Sequence, residues 1–162
     1  MKRRIFLAFI SLIFTGITSV KSQDLLFRKD VDYIDSILSK NPYNENFLGI
    51  TYFYSLDISA DRELIITMAF DGPFTTVFKA SLKDLNIDSV VDTTEYTSSL
   101  CWSCREDTSG RLKTCVRQTN IYTTGEKDNL DSEDICLMLP TEKNLRVELI
   151  KAINNAVLKA RK

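Results

Sequence analysis

Histidine is missing altogether from the 162-residue chain. That absence excludes Ser-His-Asp and Cys-His catalysis, imidazole-ligated zinc or copper, and switching by histidine protonation. General acid–base chemistry would fall to carboxylates, lysine or tyrosine. Asp57, Asp61, Glu63, Asp71, Asp84, Asp88, Asp92 and Glu95 sit mostly where strands are expected to end or turn. No spacing singles out a pair of them, so they read as solvated loop charges. Glycine is scarce too: five, scattered, with no Gly-rich run to cradle a phosphate. No apolar run reaches the roughly 20 residues needed to span a bilayer as a helix.

The longest apolar run, Ile5 to Thr18, follows Met1-Lys2-Arg3-Arg4. A basic start followed by a short apolar stretch is the pattern of a secretory signal. Val20-Lys21-Ser22 offers modest side chains at the cleavage positions, which sets the expected cut between Ser22 and Gln23. The expected organisation is therefore a signal peptide over residues 1–22 and one α+β domain over 23–162. No stable membrane anchor is expected after the cut, and no cysteine lies nearby to accept a lipid. Loss of residues 1–22 removes Lys2, Arg3, Arg4 and Lys21 and no acid, moving the formal net charge from −1 to −5. An acidic domain argues against nucleic acid or anionic lipid as the main partner. Composition is otherwise ordinary for a packed domain, at 44% hydrophobic and 27% charged residues.

Along the expected mature chain, Phe27, Val31, Ile34 and Leu38 repeat with helical spacing, predicting a helix from about 24 to 40 with Asp24 as its cap. Asn41-Pro42 would stop it. Leu48 to Ile58 alternates apolar residues at every second position, and Leu64 to Phe70 does so again across Ser59–Arg62; this predicts a hairpin with one buried face. Asp71-Gly72-Pro73 is a turn leading to a third strand, Phe74 to Leu82. The segment Asp84 to Asp92 fits either a loop or a helical turn. Tyr96 to Trp102 and Leu112 to Tyr122 read as two strands of a further hairpin around Asp107–Gly110. Gly125 to Asp134 reads as a polar loop, and Ile135 to Leu139 as a short last strand. Thr141 is the expected cap of a C-terminal amphipathic helix with Leu145, Leu149, Ile153, Ala156, Val157 and Ala160 on its apolar stripe. The sum is an α+β domain: a helix, about six mostly antiparallel strands as a meander or partly open barrel, and a closing helix.

The FTTVFKASLKDL strand from Phe74 to Leu85, the Leu100–Val116 hairpin, the Ile135–Leu139 strand and the helix after Thr141 together resemble pleckstrin-homology-like barrels. That resemblance covers about two thirds of the mature chain and implies a helix plugging one end of a barrel. The leading helix departs from it. The whole also resembles small exported bacterial proteins of unknown function. Neither resemblance implies a site residue.

Cys101, Cys104, Cys115 and Cys136 are the most distinctive chemistry. An even count in an exported chain reads as two disulfides. If the 96–102 and 112–122 strands pair, Cys101 faces Cys115, leaving Cys104 for Cys136; a one-residue bulge near Gly110 would instead favour Cys104 with Cys115. Both pairings stay open. The spacing Cys101-x-x-Cys104 also suits half a zinc knuckle, but Cys115 and Cys136 are isolated. It suits a redox pair as well, but without the helix that would activate the first thiol. The acidic run Glu126–Asp134 lacks the EF-hand glycine and so reads as a solvated loop. Tyr52, Phe53, Tyr54, Phe70, Phe74, Phe78, Tyr96 and Trp102 read mainly as core, with Tyr52 and Tyr54 on one strand face that can form a polar rim.

The expected function is an exported, non-catalytic module without cofactor or metal, binding a protein, peptide or small ligand. The alternative is a periplasmic thiol–disulfide protein using Cys101 and Cys104. Mass spectrometry of exported protein is expected to find a chain starting at Gln23 with no free thiol. A cytosolic form retaining Met1 and four free thiols would contradict both expectations.

Overall fold

A computed structural model describes residues 28–45, 49–86, 90–93, 98–140 and 142–161. The expected signal segment, Ser22, Gln23, Asp24, Phe27, Tyr96 and Thr141 lie outside them.

Helix α1 runs through residues 28–40 and buries Val31, Ile34 and Leu38. Its end is closed by Asn41, whose backbone N–H bonds the Leu38 carbonyl at 3.2 Å and whose side-chain amide bonds the Ile37 carbonyl at 2.8 Å. Those carbonyls have no partner inside the helix, and Pro42 then prevents continuation.

Strands β1 (Tyr43–Glu45), β2 (Ile50–Ile58), β3 (Glu63–Phe70) and β4 (Phe74–Ser81) follow as an antiparallel meander. The β2–β3 turn places Arg62 in the left-handed region at φ 64°. Its guanidinium donates to the Ala160 carbonyl at the far end of the chain. Gly72 fills the next turn because a Cβ there would overlap the Phe70 ring. The chain then leaves for β5 (Val90–Thr93) and β6 (Ser98–Ser103), and returns with β7 (Val116–Tyr122), β8 (Lys127–Ser132), β9 (Asp134–Met138) and α2 (Lys143–Ala160).

The strands form two sheets: a six-stranded one ordered β1-β2-β3-β4-β7-β8 and a three-stranded one ordered β5-β6-β9. All pairings are antiparallel, and the larger sheet is open, giving the expected α+β class. One buried cluster joins them: Leu56, Ile58, Leu64 and Ile66 from the large sheet, Leu100, Trp102, Ile135 and Leu137 from the small one, and Ile34, Leu149 and Ile153 from the helices. Full burial of each aliphatic side chain contributes about 1.5–3 kcal/mol. Beyond short β1, α1 covers the flank of β2, where the Asp35 carboxylate accepts the Leu56 N–H at 3.3 Å; an edge covered in this way cannot recruit another strand.

The strand-by-strand reading needs four corrections. The 96–102 and 112–122 segments do not pair. β6 instead lies between β5 and β9, which lets Leu100 and Trp102 share their inner face with Leu137 and Ile135. β7 joins β4 in register from Phe74 opposite Tyr122 to Ala80 opposite Val116. The 125–134 loop contains strand β8, held by Thr119–Asn129 and Tyr122–Asp128 side-chain bonds of 2.8 Å each, so cross-strand partners outweigh poor intrinsic strand preference. The third and fourth corrections are two short strands: β1, directly after the Asn41-Pro42 stop in a segment assigned to no element, and β5, which begins inside the 84–92 segment that fits a loop or helical turn. At α2, Glu142 occupies the cap position without a side-chain cap bond.

Trp102 is fully buried, and its indole Nε1–H has no hydrogen-bond partner among the described residues. An unsatisfied buried donor costs about 1–3 kcal/mol. Trp102→Ala is expected to destabilise by about 3–5 kcal/mol through the cavity it opens. Trp102→Phe, which removes the orphan donor as well as some contact area, is expected to cost under about 2 kcal/mol in urea unfolding. Equal losses for the two would refute this account of the indole.

Candidate binding face

Because side chains alternate along a strand, residues 52, 54, 56 and 58 of β2 share the inner face with 64, 66, 68 and 70 of β3. The register continues this face through 74, 76, 78 and 80 of β4, 116, 118, 120 and 122 of β7, and 128, 130 and 132 of β8.

One row across it is aromatic. Tyr43 and Tyr52 have ring centroids 6.3 Å apart, Tyr52 and Phe70 5.6 Å, Phe70 and Phe74 5.2 Å, and Phe74 and Tyr122 5.6 Å. The Phe70–Phe74 pair meets edge-on at 85°, a geometry that suits the ring quadrupoles. The row thus ties five strands, and Tyr122 Oη extends it to the sixth by donating to Asp128 Oδ2 at 2.8 Å. This bond raises the Tyr122 phenol above its ordinary value of 10.0; the negative charge of Asp128, desolvation and Glu126 act in the same direction.

The next row begins apolar and becomes polar. Tyr54 Oη lies 3.2 Å from Met68 Sδ. Thr76 Oγ1 donates to Asn120 Oδ1 at 2.9 Å, and Gln118 Nε2 donates to the same oxygen at 3.2 Å. Asn120 Nδ2 and Gln118 Oε1 are left with no partner among the described residues. They are one donor and one acceptor on adjacent side chains of the same face.

The third row shows how far the helices reach. Leu56 and Ile66 are 2% and 0% exposed, Phe78 and Gln118 are partly buried, and Leu130 at the end of the row is 54% exposed. A single register line thus runs from sealed core to open surface. The inner face is closed over β2 and β3 and open over β7 and β8. The open half offers ring edges from Phe74 and Tyr122, two amides, the Asp128 carboxylate and the Leu130 side chain. Among the described residues no group of three His, Cys, Asp or Glu is placed to hold a metal ion.

The cysteines lie elsewhere. Cys101 and Cys136, directly opposite on β6 and β9, are joined with Cα atoms 4.1 Å apart. Cys104 and Cys115 are joined at 5.7 Å and close the tip formed by residues 105–114. This is the pairing that the missing 96–122 hairpin had left second. Cys101 and Cys104 belong to different bridges, and among the described residues no cysteine is free. Within the tip, Asp107 Oδ1 accepts the Ser109 N–H at 2.7 Å, the Ser109 hydroxyl at 2.6 Å and the Arg111 N–H at 3.1 Å, which lowers the Asp107 carboxyl below its ordinary value.

Tyr52, Phe70 and Phe74 were visible as aromatic positions in the sequence. Tyr43, Gln118, Asn120 and Tyr122 carry no site role in the sequence, and Asp128 and Leu130 lie in the 126–134 run that reads as a solvated loop. The alternation of Gln118, Asn120 and Tyr122 was the available signal, a polar face of period two on a strand expected to bury it. Comparison with protein-family models, curated proteins and solved structures finds no match to this chain.

The Tyr122–Asp128 bond has a pH consequence. A phenol whose folded-state pKa is raised contributes stability that is fully present below its unfolded value near 10 and lost as pH rises through the folded value. Resonances of ring-labelled Tyr122 are expected to titrate above 10, and Asp128→Asn to bring that titration back toward 10. Identical titrations in the two proteins would show that the bond is not formed.

Proposed function

We propose that this chain is an exported, non-catalytic module that binds a peptide segment of another protein on the open half of its inner sheet face. The exposure of Leu130, on the same face and register line as the sealed Leu56 and Ile66, carries this reading. An apolar side chain flanked by ring edges and amides is the mixture found at ligand-binding surfaces, where aromatic area supplies affinity and a few polar groups fix orientation. The free Asn120 Nδ2 and Gln118 Oε1 together match the carbonyl and N–H of a peptide unit.

Export is supported by the two disulfides, which persist in oxidising compartments. Among the described residues, no helix is long and apolar enough to cross a membrane. Thiol–disulfide exchange at Cys101 and Cys104 draws less support, because these sulfurs are not bonded to each other.

Random peptides displayed on phage and selected on the oxidised protein are expected to yield binders. Their affinity is expected to fall tenfold or more for Leu130→Asp and for Tyr122→Ala. Phe53→Asp, at a 48% exposed position on the opposite face, is expected to leave binding unchanged. A selection without binders, or binders indifferent to Leu130→Asp, overturns the reading.

A further inference from the structure

The six-stranded sheet ends on β8, whose residues Lys127 to Asp131 are all exposed. The direction of its backbone groups follows from the preceding turn. Tyr122 N–H bonds the Glu126 carbonyl at 2.9 Å, so Tyr122 and Glu126 form a hydrogen-bonded pair. Such pairs alternate along an antiparallel ladder. Asp128 and Leu130 therefore turn their N–H and C=O toward β7, while Lys127, Asn129 and Asp131 turn theirs outward. These outward groups have no backbone partner among the described residues. The free stretch stops at Glu133, whose carbonyl accepts the Cys104 N–H at 2.7 Å. An unpaired row of this kind is a template for another strand.

Charge decides which strand. From residue 126 to 134 the chain carries five acids, Glu126, Asp128, Asp131, Glu133 and Asp134, against Lys127, with Arg117 on β7 opposite Asp131. The ion pairs among the described residues are Arg28–Asp57 and Lys159–Asp30, so none of these five acids has a cationic partner there. Two such edges repel each other, which disfavours a second copy as the occupant. A segment rich in lysine or arginine would be attracted instead, and its inward side chains would lie beside Leu130 at cross-strand distance.

We propose that β8 captures an extended, positively charged peptide segment as a seventh strand, through the outward backbone groups of Lys127, Asn129 and Asp131. The inference rests on the peptide-binding reading above and adds to it the edge, the backbone hydrogen bonds and the charge of the ligand.

The probes are three labelled hexapeptides: alternating lysine and valine, alternating glutamate and valine, and the lysine–valine sequence methylated at every backbone nitrogen. The last keeps the charge and side chains but has no backbone N–H to donate in either register. By fluorescence anisotropy the lysine–valine peptide is expected to bind at least tenfold more tightly than the other two. Asn129→Pro is expected to lose that binding tenfold or more while Asn129→Ala keeps it, and Asp131→Lys is expected to weaken it likewise. Hydrogen exchange on the unmodified protein gives a readout that no folding defect can mimic: the amides of Lys127, Asn129 and Asp131 gain protection with the lysine–valine peptide, in alternation with those of Asp128 and Leu130. Equal binding of the N-methylated peptide, or no alternating protection, overturns the inference. Phage-selected peptides that need Leu130 yet ignore Asn129→Pro and carry no positive charge would retain the binding face and discard the edge.

Discussion

The pairing of β4 with β7 is the contact on which the rest of the molecule depends. It is the only join, among the described residues, between the β1–β4 meander and the β7–β8 hairpin within the large sheet. Its partners are remote: Ala80 meets Val116 across the entire β5–β6 excursion. Closing such a loop costs chain entropy that local hairpins avoid. Two features reduce it. The excursion builds its own small sheet, whose apolar side enters the same core, and Cys104 is bonded to Cys115, one residue before β7 begins. In the chain-entropy account, a bridge with 11 residues of separation contributes about 3 kcal/mol. That is a large share of the 5–15 kcal/mol typical of a domain.

The same pairing explains what could and could not be read in advance. Helix α2 and the β2–β3 hairpin were legible because their periodicity is local: Leu149, Ile153 and Val157 recur at helical spacing, and Tyr54, Leu56 and Ile58 at strand spacing. The partner of β6 was not legible. Asp107–Gly110 forms a good turn, and nearness in sequence favoured pairing across it, yet the turn closes only the tip of residues 105–114. Register beyond that tip is set by burial of Trp102 against Ile135, a long-range fit that leaves no local trace. Strand β8 was hidden for a related reason. Its acidic, amide-rich composition argues for a loop, and only Thr119 and Tyr122 on the neighbouring strand reveal otherwise.

The candidate face is where the two halves of the sheet meet. Over β2 and β3 the face is sealed at Leu56, Ile58, Leu64 and Ile66, whereas the β7–β8 half carries Gln118, Asn120 and Asp128. The aromatic row crosses the seam, so Phe74 and Tyr122 join a rigid support to an open surface. Strand pairing on both sides holds β7 firmly, which keeps its amides and phenol in place before any ligand arrives; such preorganisation lowers the cost of binding.

The two sulfur bridges differ in how solvent can reach them. Cys101 and Cys136 are both partly exposed, on the side of the small sheet away from the core, whereas in the other bridge Cys115 is partly exposed and Cys104 is sealed. Exchange begins with a thiolate reaching a sulfur, so access governs which bridge yields. Titration with a mild reductant should therefore pass through a species that has released β6 from β9 while its 105–114 tip stays clamped. In that half-opened form the small sheet would loosen before the large one.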